Sequence, residues 1–161
     1  MSLKVGDEIP ETTLYRIGED GIESLSSTEA FGQGSVVLFA VPGAFTPTCS
    51  DDHLPGYLVH GPQILARGID RIVCLAVNDP FVMKAWSQDR GVGNQLTMLS
   101  DGNGAFAEAA GLSVDLSAIG LGKRSQRYAA VLRDGVVEYL GVEPGKGVTV
   151  SGAEAILDAL G

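Results

Sequence analysis

The chain has 161 residues, 45% of them apolar and 19% charged, the ordinary balance of a globular protein and far from disordered or collagen-like composition. A chain of this length buries roughly 70% of the surface its unfolded form exposes, so it can hold a core without disulfide or metal staples, and one domain spanning residues 1–161 is expected. Its 11 Lys and Arg against 20 Asp and Glu give a net charge of −9 with no basic cluster, which argues against a nucleic-acid partner.

The opening MSLKVGDEIPETT has neither the basic n-region nor the apolar h-region of a secretory signal. No window approaches the roughly 18 apolar residues of a membrane span. A cytoplasmic protein with no membrane partner is expected. The two cysteines, Cys49 and Cys74, are too few for a disulfide scaffold or a four-ligand zinc site, and neither a metal nor another cofactor is expected.

Residues 12–25, TTLYRIGEDGIESL, alternate weakly about Gly-Glu-Asp-Gly and predict an N-terminal β-hairpin turning at Glu19 to Gly21. Ser26 with Glu29 fits a capping box for a short helical turn. Ser35 to Val41, SVVLFAV, is a continuous apolar run between Gly34 and Pro42, the pattern of a strand buried on both faces. After the loop Pro42 to Thr48, residues 49–67 read as helical. Pro55 and Pro62 can each break or kink a helix, which predicts two shorter ones.

Arg71 to Val77, RIVCLAV, repeats the buried-strand pattern, and Asn78-Asp79-Pro80 then supplies an N-cap and a first-turn proline for the helix PFVMKAWSQDR. Leu96 to Leu99 predicts a third strand of this kind, and Asn103 to Ala110 a helix stopped by Gly111. Tyr128 to Arg133 and Val136 to Leu140 flank Asp134-Gly135, the strongest hairpin signal in the chain. Ser151-Gly-Ala-Glu154 reads as a second capping box, opening a final helix that Gly161 ends. Together these elements predict an α/β protein with a central mixed sheet flanked by helices. Their order resembles the thioredoxin fold, here with an N-terminal hairpin extension.

The chemistry concentrates in Val41 to Ser50, VPGAFTPTCS, where a buried strand ends in a loop and runs into a helix. Ligands favour the carboxyl ends of strands in such sheets. With Thr46 as N-cap, Pro47 takes the first helical position and Cys49 the third, among unpaired backbone N–H groups at the positive end of the macrodipole. That environment favours a thiolate able to attack an electrophile. A free cysteine is most often a small core residue, but Thr46, Thr48, Ser50, Asp51 and Asp52 do not describe a core position. Asp51 and Asp52 would oppose the thiolate if they faced it. Cys74, inside IVCLAV, reads instead as a core thiol.

His53, four residues beyond Cys49, can act as a cationic neighbour or simply pack. His60 carries no signal. Arg124 and Arg127 both approach a strand end from which a guanidinium could reach the sulfur, and spacing favours neither. Phe45, Leu54, Phe81, Trp86 and Phe106 are expected in the core or at an interface.

The run PGAFTPTCS, with Pro42, Thr46 and Cys49 in the pattern P-x-x-x-T-x-x-C, resembles the active-site loop of type II, Prx5-like peroxiredoxins. The similarity continues through HLPGY, LAVNDPFVMKAW, SDG and RSQRYAAVLRDGVV, nearly the whole chain. The resemblance implies a thiol peroxidase acting on hydrogen peroxide and small alkyl hydroperoxides. Cys49 would be the peroxidatic cysteine, Arg127 its partner, Pro42 its shield from water and Thr46 the hydroxyl that orients the peroxide. Cys74, 25 residues after Cys49, is placed like the second cysteine of plant-type members, which makes it a resolving candidate. Glutathione with glutaredoxin, or thioredoxin, would be the reductant, and a homodimer is implied.

Two other readings remain at this level. One is a peroxide-sensing interaction protein in which Cys49 oxidation alters a partner surface without efficient turnover. The other, cysteine-dependent acyl transfer, needs a positioned base, for which only His53 and His60 are available.

Overall fold

The computed structural model describes residues 2–161. Thr13–Gly18 (β1) and Gly21–Ser26 (β2) form the predicted hairpin, closed by Glu19 and Asp20 with Gly21 at φ 114°. Ser26 caps the short helix Ser27–Phe31 (α1): its hydroxyl accepts from the Glu29 N–H, and the Glu29 carboxylate accepts from the Ser26 N–H. Ser35–Val41 (β3) pairs in parallel with Arg71–Ala76 (β4), which pairs in parallel with Thr97–Ser100 (β5). Asp79 caps the intervening helix Pro80–Asp89 (α3) by accepting from the Val82 N–H.

After β5 come Ala105–Ala109 (α4), a small two-stranded sheet of Ser113–Asp115 (β6) and Lys123–Ser125 (β7), and the hairpin of Tyr128–Arg133 (β8) and Val136–Val142 (β9). The small sheet carried no signal in the sequence. Asp134 and Gly135 turn the β8–β9 hairpin with φ of 49° and 80°, the left-handed conformation its two-residue loop requires. The chain closes with Ala153–Leu160 (α5). The main sheet runs β2-β1-β5-β4-β3-β8-β9, with the parallel strands at its centre and antiparallel pairs toward both edges, the mixed α/β arrangement expected.

Alternation along β3 separates two cores. Val37, Phe39 and Val41 face the layer containing Leu54, Tyr57, Ile64, Trp86 and Ile156, whereas Val36, Leu38 and Ala40 face Phe31 and Phe106. Six of the seven β3 residues are fully buried because helices cover both faces, which is why the strand reads as an unbroken apolar run. Cys49 and Cys74 belong to the same layer as Phe39.

Two local expectations are corrected. The segment predicted as two helices is one helical run, a π-helical turn over Cys49–His53 that passes directly into Leu54–Ala66 (α2). Pro55 falls in the first turn of α2, where proline is tolerated. Pro62 lies inside the helix without ending it, because Leu54, Tyr57 and Ile64 anchor that face in the core. The second capping box does not form. Gly152 is the N-cap of α5 with no side-chain bond, and the Ser151 hydroxyl donates instead to the Glu143 carboxylate at 2.6 Å.

Candidate active site

The register of the sheet builds the site. Ala40 of β3 pairs with Tyr128 of antiparallel β8, so the residue entering β8, Arg127, lies beside the carboxyl end of β3 where Val41 gives way to Pro42. The loop from Pro42 then delivers Cys49 into a helical turn at the same end of the sheet. Helical bonding starts early: the Ser50 N–H donates to the Thr46 carbonyl at 2.9 Å, which sets Cys49 in the first turn as the spacing predicted. The Thr46 side chain, however, does not cap that turn. Its hydroxyl donates to the Gly43 carbonyl at 2.6 Å, leaving the oxygen's lone pairs for another donor.

Cys49 is fully buried in the Phe39 layer, although its polar sequence neighbours do not describe a core position, and its surroundings are not wholly apolar. Arg127 Nη2 donates to Sγ at 3.1 Å, a charge-assisted bond to sulfur. Arg124, the other candidate, turns elsewhere: its Nε donates to the Leu121 carbonyl at 2.8 Å and its Nη1 to the Pro42 carbonyl at 3.3 Å. Arg124 therefore braces the loop. It lies so close that a Cβ on Gly43 would stand 2.9 Å from its Nη1. Phe45, in the same loop, adopts φ 66° and is half exposed, and the Ala44 N–H fixes the loop further by donating to Asn78 Oδ1 at 2.9 Å.

His53 is not a cationic neighbour of the sulfur. Burial, opposed by its hydrogen bond to Ser151 and reinforced by the Arg127 guanidinium, holds its pKa down to about 4. The neutral ring has one N–H, and its contacts assign the tautomer. Nε2 lies 2.9 Å from the Ser151 carbonyl, which can only accept, so Nε2 carries the proton. Nδ1 then accepts from Arg127 Nη1 at 2.9 Å. The guanidinium is thus fastened at one nitrogen by histidine and presents another to sulfur.

Residues distant in sequence support this pair. Glu143 Oε2 accepts from the Ser151 N–H at 2.8 Å and from its hydroxyl, while the Glu143 N–H donates to the Arg127 carbonyl at 2.9 Å. Tyr57, stacked on Phe39 with ring centroids 3.9 Å apart, donates its hydroxyl to the same Ser151 carbonyl at 2.7 Å. Asp51 and Asp52 are exposed, and Asp51 meets Arg90 rather than Cys49.

A cavity of about 320 Å³ is lined by Pro42, Thr48, Leu116, Arg127 and Lys146 among others, so it shares Arg127 with Cys49, while Cys49 itself stays buried. Cys74 pairs with Phe39 on β3 and Met98 on β5 and is fully buried. Burial pushes its thiol well above the ordinary range, the neighbouring Cys49 adds to this, and Arg127 opposes it. Phe45 and Phe81 are exposed, whereas Leu54, Trp86 and Phe106 lie in the core. Among the described residues no group of His, Cys, Asp and Glu could hold a metal ion, and no helix is long and apolar enough to cross a membrane.

The redoxin family matches residues 4–157, and the chain belongs to it. Within that family it is a type II peroxiredoxin, a thiol-dependent peroxidase. It is 46% identical to peroxiredoxin-2E-2, chloroplastic, of Oryza sativa subsp. japonica, over 99% of this chain and 73% of that one. Peroxiredoxin-2C of the same plant is 45% identical over 97% of each chain. Among solved structures, reduced Prx3 from Vibrio vulnificus in complex with hydrogen peroxide superposes with a TM-score of 0.94 at 46% identity, covering 99% of each chain. Peroxiredoxin 5 from Alvinella pompejana gives 0.87 at 33% identity, over 98% of this chain and 97% of that one.

Proposed function

We propose that Cys49 is the residue that reduces peroxide in this enzyme, with Arg127, Thr46 and Pro42 completing its site. The observation that carries this reading is the 3.1 Å bond from Arg127 Nη2 to Cys49 Sγ. The Cys49 sulfur, as thiolate, attacks one oxygen of ROOH. The S–O bond forms as the O–O bond breaks, and the leaving oxygen takes up a proton and departs as water or an alcohol. Sulfur is oxidised by two electrons to a sulfenic acid. Negative charge moves from sulfur to the leaving oxygen, and donors fixed beforehand along that line bind it more tightly than they bind neutral peroxide. Arg127 supplies such donors. The Thr46 hydroxyl, committed as a donor to Gly43, offers its lone pairs to the peroxide O–H, and Pro42 at the cavity rim keeps water off the sulfur.

A second thiol then condenses with the sulfenic acid, forming a disulfide and releasing water. Glutathione with glutaredoxin, or thioredoxin, supplies that thiol once the turn that buries Cys49 opens. Cys74 can take part only after the helical turn over Cys49–His53 opens, since its thiol is buried on a central strand and held neutral. Two cysteines that are both free suit a reducing, cytoplasmic setting. Phe45, Phe81 and Ile119, 50%, 61% and 71% exposed, are apolar surface that a homodimer would cover, which sedimentation velocity of the wild type and Phe81→Ser can test.

Stopped-flow peroxide consumption by wild type and Cys49→Ser, with mass spectrometry of the product, tests the central assignment. The wild type is expected to gain one oxygen at Cys49 and to recycle with a thiol reductant. Peroxide turnover by Cys49→Ser would overturn the assignment, and oxidation without recycling would favour the sensor.

A further inference from the structure

The π-helical turn that holds Cys49 contains an unfilled acceptor, and the sequence supplies its donor from elsewhere. In this turn the Cys49 carbonyl accepts from Leu54, five residues on. In the same register the Ser50 carbonyl would accept from residue 55. That residue is Pro55, which has no N–H. Leaving a part-buried carbonyl without a donor would destabilise the turn. Arg90 Nη1 occupies the place of the missing donor, 3.1 Å from the Ser50 oxygen.

A second contact from the same helix reinforces it. Trp86, one turn before Arg90 at the end of α3, donates Nε1 to the Ser50 hydroxyl at 3.0 Å. Arg90 Nη1 also lies 3.4 Å from Asp51 Oδ1. Arg90 Nε is buried without a hydrogen bond, although Asp89 Oδ2 stands 3.3 Å away, so the bonds that fix the head are those to the Cys49 turn.

We propose that Arg90 is a positioning residue for Cys49: by donating to Ser50 in place of Pro55 it closes the π turn from outside and sets how firmly the sulfur is kept on Arg127. This rests on Cys49 being the peroxide-reacting residue. The turn must be closed for the sulfur to meet Arg127 and open for a buried sulfenic acid to meet a second thiol. Two reactions then compete. In the closed turn a further peroxide converts Cys49–SOH to Cys49–SO₂H, releasing water or alcohol. In the open turn a thiol converts it to Cys49–S–S–R, releasing water. An external donor that is a side chain, unlike a backbone N–H, can be released without unravelling α2.

The test compares Arg90→Met, Arg90→Lys, Pro55→Ala and the Arg90→Met/Pro55→Ala pair. Hydrogen exchange of the reduced protein reads the turn without peroxide. Loss of a charge-assisted bond predicts about tenfold faster exchange at residues 49–58 in Arg90→Met, a change of about 1.4 kcal/mol, with the sheet strands unaffected. Lys is expected to fall between. Pro55→Ala restores an N–H facing Ser50 and should return the Met variant toward wild type. With hydrogen peroxide and glutathione, the Met variant should react more slowly with peroxide and form a larger share of mixed disulfide relative to sulfinic acid, and the double variant should reverse both.

Unchanged exchange in Arg90→Met, a rise spread evenly over the sheet, or no rescue by Pro55→Ala would overturn the proposal. Should the Met variant fail to fold, Arg90→Lys with and without Pro55→Ala makes the same comparison. Turnover by Cys49→Ser would instead remove the peroxide assignment while the exchange result still judged Arg90.

Discussion

Acidification is expected to weaken the folded state through His53. Burial, together with the nearby Arg127 guanidinium, holds the imidazole down to about 4 from its ordinary 6.5, against the Ser151 hydrogen bond and the Glu143 carboxylate, which favour the charged ring. The folded state therefore binds this proton more weakly than the unfolded chain does. Between pH 6.5 and 4 the unfolded chain carries more protons, so stability falls as pH drops through that window and the contribution is fully present only above it. The whole window is worth about 3 kcal/mol, of which about 2.5 kcal/mol separates pH 7 from pH 4.5.

Carboxylates titrate over part of the same range, so the effect of His53 is read as a difference between two proteins. His53→Gln can present an amide carbonyl to Arg127 and an amide N–H to Ser151, but it does not titrate. Urea unfolding of both proteins at pH 7 and 4.5 should show the wild type losing about 2.5 kcal/mol more than the variant. The peroxide reaction of the wild type should also slow as Nδ1 takes its proton, since that nitrogen can then no longer accept from Arg127 Nη1. Parallel stability curves would refute both the neutral tautomer and its burial as the cause.

Arg127→Lys keeps the charge, but a single ammonium cannot hold both Cys49 Sγ and His53 Nδ1, and the second-order rate with hydrogen peroxide is expected to fall about 10²-fold. A rate within threefold of wild type would show that charge alone suffices. Cys74→Ser, which puts a hydroxyl among Phe39 and Met98 on neighbouring strands, should cost about 1–2 kcal/mol in urea unfolding. Its turnover with glutathione and glutaredoxin should be unchanged, and a loss there would put Cys74 in the cycle. Tyr57→Phe removes one of the two donors to the Ser151 carbonyl and should cost about 1 kcal/mol while leaving the His53 titration in place.

The elements were legible where local chemistry and tertiary burial agree. SVVLFAV and RIVCLAV could be read as central strands because helices cover both faces, and Asp134-Gly135 because its turn needs left-handed backbone whatever surrounds it. Ser26 and Glu29 cap α1 as their spacing predicts. The same spacing failed at Ser151 and Glu154, where the Glu143 carboxylate takes the serine hydroxyl. A capping motif states what a side chain can do locally, and a carboxylate just beyond β9 can draw the same hydroxyl away from the helix end. The proline pattern after Cys49 failed for a related reason: Pro55 removes a donor, which reads as a break, but Arg90 on α3 replaces it.

At the site, the loop and its cysteine stood out because Thr, Ser and Asp crowd a thiol at a strand-to-helix junction, although the thiol itself packs into the Phe39 layer. Spacing alone could not choose between Arg124 and Arg127. That choice depends on the β3–β8 register, which brings Arg127 to Val41, and on the loop carbonyls that engage Arg124. His53 was noticed, yet its role reverses between exposure and burial, and burial is a property of the assembled layers.

By itself the sequence determined the strands, most helix ends and the placing of Cys49 at a strand-to-helix junction, since propensity, periodicity and capping act over a few residues. Only the tertiary structure decided which guanidinium meets the sulfur, that His53 is neutral, and that Arg90 closes the turn. Those facts depend on desolvation and on donors brought together from positions about 40 to 100 residues apart, separations over which a one-dimensional pattern has no geometry.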